Sequence, residues 1–197
     1  MKLNKLVITL GLMCIVFTAC KEKTKTSETP TQHTETETVE DTENDLIDDN
    51  GDPIIIGKQE RATLEAAPYN KWFEVGYKDH PLDSVTMTSI KDVLAETDIT
   101  VFMGTWCEDS QREVPTFFKA LDYAGIDASK VNLITVSEDK LSPEAFLEGR
   151  NVEYVPTIIF EKEGKELGRI VEYSIFSIEK DMAKILNGED YKHPYAE

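Results

Sequence analysis

Apolar residues gather in two places along the chain and are nearly absent between them. The first gathering is one unbroken run, 6–19, behind Lys2 and Lys5. The second starts at Pro53 and continues in short bursts as far as Leu186. Between them, 21–52 reads KEKTKTSETPTQHTETETVEDTENDLIDDNGD, almost entirely Thr, Glu, Asp and Lys. Such a stretch has too little apolar surface to offset the entropy of ordering, so it is expected to be a disordered tether. The pattern divides the chain into 1–19, 20–52 and a folded domain over 53–197.

Periodicity predicts the elements of that domain. Ile54-Ile55-Ile56, ending at Gly57, predicts a short strand. Leu64, Tyr69, Trp72, Phe73 and Tyr77 recur at helical spacing over 62–77, with Pro68 interrupting the face. Asp83 or Ser84 caps a second helix carrying Met87, Ile90, Val93 and Leu94 on one side. A buried strand is predicted over 99–104, a helix over 107–123 and another strand over 131–136. Ser142-Pro143-Glu144 is a helix start with proline in the first helical position. Strands over 157–160 and 167–173 flank Glu163-Gly164-Lys165 as a hairpin. A last helix runs from a Ser177 cap to Leu186 and stops before Gly188. The order β, α, α, β, α, β, α, β, β, α implies an α/β domain: a mixed central sheet with helices on both faces.

The apolar run 6–19 is shorter than the roughly 20 residues needed to span a bilayer core of about 30 Å. A short apolar run behind a positive start reads as a secretory signal. It ends in Phe17-Thr18-Ala19-Cys20. These residues resemble the lipobox of bacterial lipoproteins, with Phe17 where Leu is usual. The resemblance implies a signal peptide over 1–19, cleavage before Cys20 and acylation of that cysteine. It also implies a lipid-anchored place in a bacterial cell envelope, facing the periplasm or the outside. Each buried CH₂ of an acyl chain contributes about 0.8 kcal/mol, so several chains hold firmly to the membrane.

The net charge of −17 argues against nucleic-acid partners and for repulsion from anionic head groups. The cysteine count is equally informative. If the chain is processed as the lipobox resemblance implies, Cys14 leaves with the signal, Cys20 is blocked by lipid and Cys107 alone remains, so the mature chain is expected to have no internal disulfide.

Cys107 stands in Thr105-Trp106-Cys107-Glu108-Asp109-Ser110, between a predicted strand and a predicted helix start. Unpaired N–H groups in the first turn of a helix favour a thiolate. Glu108 and Asp109 suit the same helix end but oppose a neighbouring negative sulfur. They read either as helix capping or as a device that repels anionic thiols and selects cationic substrate segments. A cysteine hydrolase needs a histidine base, yet His33 lies in the tether, His193 near the terminus, and His80 has no motif around it. Zinc ligation needs more thiols or imidazoles than the chain offers. There is no glycine-rich phosphate loop, and no metal or cofactor is expected.

These residues resemble the thioredoxin family, whose motif is Trp-Cys-x-x-Cys after a central strand. Trp106 and Cys107 match, and Ser110 stands where the second cysteine belongs. Pro115 falls where the family has a proline that kinks the active-site helix. Val155-Pro156-Thr157 matches the loop whose cis proline faces the active cysteine, and Gly168 matches a family glycine. The resemblance covers roughly 54–187, with a longer helical stretch over 62–97 than in minimal members. Membrane-tethered bacterial thioredoxin-like lipoproteins are the group it is most similar to. It implies a three-layer thioredoxin-like fold, with Cys107 as the attacking thiol. Trp106, Val155, Pro156 and Thr157 would hold an extended substrate by strand addition.

Two departures shape the expected mechanism. Ser110 cannot resolve a mixed disulfide, although its hydroxyl is expected to hydrogen-bond back to the Cys107 sulfur. Val101 occupies the place of a buried family aspartate. Two readings follow. The first is monothiol thiol–disulfide exchange, isomerase- or reductase-like, on protein or small thiol and disulfide substrates, completed by an outside thiol or a partner oxidoreductase. The second is a redox-inactive module that binds extended peptides or partner proteins, with Cys107 a relic.

Overall fold

The computed structural model describes residues 46–196. The signal segment, Cys20 and most of the expected tether lie outside the described residues. Residues 46–52 close a turn in which the Asp48 carboxylate accepts the Asn50 and Asp52 N–H groups at 2.9 and 2.8 Å. Among the described residues, no helix is long and apolar enough to cross a membrane.

The elements are β1 (Gly57–Gln59), α1 (Arg61–Glu65), α2 (Asn70–Asp79), α3 (Ser84–Ala95), β2 (Asp98–Met103), α4 (Glu108–Ala124), β3 (Val131–Thr135), α5 (Glu144–Leu147), β4 (Thr157–Lys162), β5 (Lys165–Val171) and α6 (Ile178–Leu186). The sheet order is β1-β3-β2-β4-β5. β2 and β3 run parallel, and every other neighbouring pair is antiparallel. The domain is therefore α/β with a mixed five-stranded sheet, as the alternation of elements predicts.

Local chemistry explains the boundaries. Asp83 caps α3 by accepting the Thr86 N–H at 3.1 Å, and Ser177 caps α6 by accepting the Lys180 N–H at 3.3 Å. Glu163 and Gly164 join β4 to β5 with φ of 54° and 75°, the pair of left-handed residues that a two-residue hairpin turn requires. The helical face over 62–77 is two helices rather than one, because Pro68 falls between them. Pro115 stays inside α4, and Gly76 of α2 sits against it so closely that a Cβ there would lie 3.1 Å from the proline ring.

Two local expectations are corrected. Ile54-Ile55-Ile56 is not a strand; pairing begins at Gly57, where that run ends. The Ile54 N–H is already engaged by the Leu46 carbonyl at 2.8 Å in the preceding turn, so the isoleucines pack half-buried without joining the sheet. Proline 143 is the cap of α5 rather than its first residue.

Helices lie on both faces of the sheet, but unequally. Ile99, Val101 and Met103 of β2, Leu133 of β3, and Ile158 and Phe160 of β4 meet α1, α2, α3, α4 and α6 in one large core. Alternate residues point the other way, as a period of two demands. There Phe102, Ile134, Val136, Val155 and Ile159 form a smaller cluster, covered by Leu147 of α5 and Val152, and joined by Trp106 and Cys107.

Candidate functional site

The site forms where the chain leaves β2 and enters α4, at the end of the sheet where β2 and β3 finish and β4 begins. Cys107 is the N-cap of α4, with extended backbone (φ −90°, ψ 120°) and no side-chain bond to the helix's free N–H groups. Its side chain is half-buried at the margin of the smaller cluster. The thiol donates to the Val155 carbonyl oxygen at 3.2 Å. The Val155–Pro156 peptide bond is cis. The structure thus brings Cys107, Trp106, Val155 and Pro156 together from loops 48 positions apart in sequence.

Trp106 does not stand free beside the sulfur. Its indole Nε1 donates to the Val136 carbonyl at 3.0 Å, and its ring lies across Gly104. A Cβ on Gly104 would sit 2.4 Å from the ring, so only glycine lets the indole lie there. Lys140 places its ammonium 5.5 Å from the ring centroid. The loop holding Lys140 is closed on itself: the Ser137 N–H donates to the Ser142 carbonyl, the Ser142 N–H donates to the Ser137 hydroxyl oxygen, and Asp139 accepts the Ser137 hydroxyl and the Leu141 N–H. Those bonds hold the Asp139 carboxyl below its ordinary range.

Ser110 departs from the expectation. Its side chain is fully buried, and its hydroxyl oxygen accepts the Gly104 N–H at 3.2 Å. No Ser110–Cys107 hydrogen bond exists among the described residues; the thiol bonds to Val155 instead. The hydroxyl faces back to the strand end because Gly104 N–H there needs an acceptor. Thr157 is also buried, its hydroxyl donating to the Tyr154 carbonyl at 2.7 Å, and its backbone paired within the sheet to Phe102 and Val171. The Pro156 carbonyl accepts the Glu172 N–H at 2.7 Å. The three successive carbonyls of Tyr154, Val155 and Pro156 are thus each met by a donor of this chain. Val101 is fully buried in the larger core.

The charges around the thiol are uneven. Glu108 is exposed, while Asp109 and Glu113 both bind the Arg112 guanidinium. Glu113 also accepts the Ser174 hydroxyl at 2.9 Å. Beyond the proline loop, Tyr195 stacks on Tyr154 with ring centroids 4.0 Å apart. The Tyr195 hydroxyl bonds to Glu172, which pushes its ionisation up to about 12. A cleft of about 260 Å³ lies beside this pair, lined in part by Asn151, Arg169 and His193.

No family model matches the chain, and no curated protein does. It is similar to a solved protein of unknown function from Pseudomonas aeruginosa, at 15% identity and a TM-score of 0.46 over 66% of this chain and 83% of that one. It is similar to an HIV epitope scaffold, at 16% identity and a TM-score of 0.46 over 66% and 84%. A mutant thioredoxin from Halobacterium salinarum matches at 16% identity and a TM-score of 0.33, over 54% and 88%.

Sequence reasoning missed Gly104, Lys140 and Tyr195. The glycine two positions before Trp106 was a readable signal for a ring lying on the backbone. Lys140 and Tyr195 carried none, since each reaches the site through the path of a loop. His80 is far from this chemistry in function: it binds the buried Glu179 carboxylate at 2.6 Å between α2 and α6. Among the described residues, no group of three or more His, Cys, Asp and Glu is placed to hold a metal ion.

Proposed function

We propose that this protein performs monothiol thiol–disulfide exchange through Cys107, isomerase- or reductase-like, from a lipid-tethered position outside the cytoplasm. The observation that carries the reading is the half-buried thiol at the start of α4, 3.2 Å from the carbonyl that precedes a cis proline. Its thiolate attacks one sulfur of a client disulfide. The S–S bond breaks, a mixed disulfide forms on Cys107, and the other client sulfur leaves as a thiolate that takes up a proton. In the isomerase-like case no electrons are gained or lost overall; in the reductase-like case two outside thiols are oxidised to a disulfide as the client disulfide is reduced. A second thiol of the client, or an outside thiol, then attacks the mixed disulfide and releases Cys107. The tether and the anchor at Cys20 rest on the sequence pattern of 1–52.

The test is the rate at which the Cys107 thiol is alkylated at neutral pH, compared with free cysteine, together with capture of mixed disulfides on Cys107 in cells. Faster alkylation and persistent adducts are the expected results. Alkylation no faster than the free thiol, with a Cys107→Ser protein that keeps its biological role, overturns the reading.

A peptide- or partner-binding module is the second reading. It is favoured by Ser110, whose hydroxyl serves Gly104 rather than the sulfur, and by the apolar Val101 in the core. It predicts that partners are retained by the Cys107→Ser protein.

A further inference from the structure

The residue that the chemistry above leaves unexplained is Lys140. Its φ is 59°, in the left-handed region where glycine or asparagine is the usual occupant. A lysine there is conformationally unfavourable, and the turn gives it no hydrogen-bonding role for its side chain. The loop 137–142 fixes the backbone by its own bonds, and Asp139, the adjacent exposed carboxylate, accepts the Ser137 hydroxyl and the Leu141 N–H and feels the Lys140 charge without forming an ion pair with it. The ammonium is delivered instead over the indole of Trp106 at 5.5 Å from its centroid. That indole is immobilised by Val136 and Gly104, and the next residue is Cys107. Arg112, on the helix that Cys107 caps, is already engaged by Asp109 and Glu113. Among the described residues, no carboxylate lies within ion-pair distance of the Lys140 ammonium.

We infer that Lys140 is a specificity-determining residue that admits anionic partners to Cys107. The inference rests on the proposed exchange chemistry and names its partner class: a thiol or disulfide carrying carboxylate near its sulfur. In a chain of net charge −17, with Glu108 next to the sulfur, an anionic partner meets repulsion on most approaches. A cation over the ring of Trp106, the residue that precedes Cys107, offsets that repulsion on one side of the approach. The partner's carboxylate takes the solvent side of the ammonium while the indole holds its other side.

The experiment uses the full chain and reads alkylation at Cys107 by peptide mass spectrometry, with iodoacetate as the anionic probe and iodoacetamide as the neutral one. The ratio of the two rates cancels the intrinsic reactivity of the sulfur. In Lys140→Met the ratio is expected to fall about three- to tenfold at low salt, the size of one unit charge acting across several ångströms of partly solvated space. Lys140→Arg restores the ratio, and added salt narrows the difference between wild type and Lys140→Met. Equal ratios in wild type and Lys140→Met at low salt, with unchanged tryptophan emission showing the indole in place, overturn the inference. Should Cys107 react with both probes no faster than free cysteine, the exchange chemistry fails, while the ratio still reports on Lys140.

Discussion

On one face of the sheet, β2 sends Ile99, Val101 and Met103 beneath five helices, among Phe73, Phe117, Phe118 and Phe160. On the other, Phe102 meets Ile134, Val136, Val155 and Ile159, with a four-residue helix and connecting loops as the cover. Neighbouring residues of a single strand therefore serve two environments. The helical face is closed by interlocked aromatic rings, such as Phe117 and Phe118 at 5.5 Å. The sparse face is closed by hydrogen bonds from side chains to loop carbonyls, including those of Trp106 and Cys107. The difference teaches that the larger apolar core and the candidate thiol site lie on opposite sides of the same sheet.

Substitutions separate the two. Phe117→Ala empties a fully buried aromatic position on the helical face and is expected to lower unfolding stability by about 3–5 kcal/mol. In the protein that remains folded, the Cys107 alkylation rate stays at the wild-type value. A changed rate there breaks the separation of faces. Gly104→Ala drives a methyl into the Trp106 ring and is expected to cost about 1–3 kcal/mol in denaturant unfolding. Unlike Phe117→Ala, it also shifts tryptophan emission and the alkylation rate.

Ser110→Ala sharpens the comparison further, because it tests which side of α4 the hydroxyl serves. It leaves the buried Gly104 N–H without its acceptor and is expected to cost about 1–2 kcal/mol, with the alkylation rate of Cys107 unchanged. A large drop in that rate, with stability intact, would assign the hydroxyl to the sulfur after all.

The smallest effect is expected from protons on the helical side. Burial alone would raise the Glu179 carboxyl, but the His80 hydrogen bond and backbone N–H groups outweigh it and hold it below its ordinary value. The unfolded chain therefore binds this proton more readily than the folded one. The resulting stability is fully present above the ordinary carboxylate value and is lost as the pH falls through the lower, folded value. Urea midpoints across the acidic range measure it, and Glu179→Gln should flatten the dependence.

Much of this division was legible in the sequence. The apolar run of β2 and the spacing of Met87, Ile90 and Leu94 are enough to assign a buried strand and a helix with its inward face. Asp83 and Ser177 marked helix starts because a capping oxygen acts within three residues. The loop proline at 156 and the cysteine at 107 were marked by the resemblance of their motifs to a known family, and the fold brings them together. What was hidden depended on where loops travel. Ser110 was expected to face the sulfur from helical spacing alone, but the unpaired N–H of Gly104 competes for its oxygen. The Ile54 run looked like a strand because composition does not show that its first N–H is taken by Leu46.

The Cys107–Val155 bond ties the fate of a side chain to the main chain. A sulfur that has ionised, or joined another sulfur, has no hydrogen left to offer. The oxygen of residue 155 must then find water or another donor. Isotope labelling of that single carbonyl would turn its vibrational frequency into an optical record of whether the neighbouring sulfur is free or occupied.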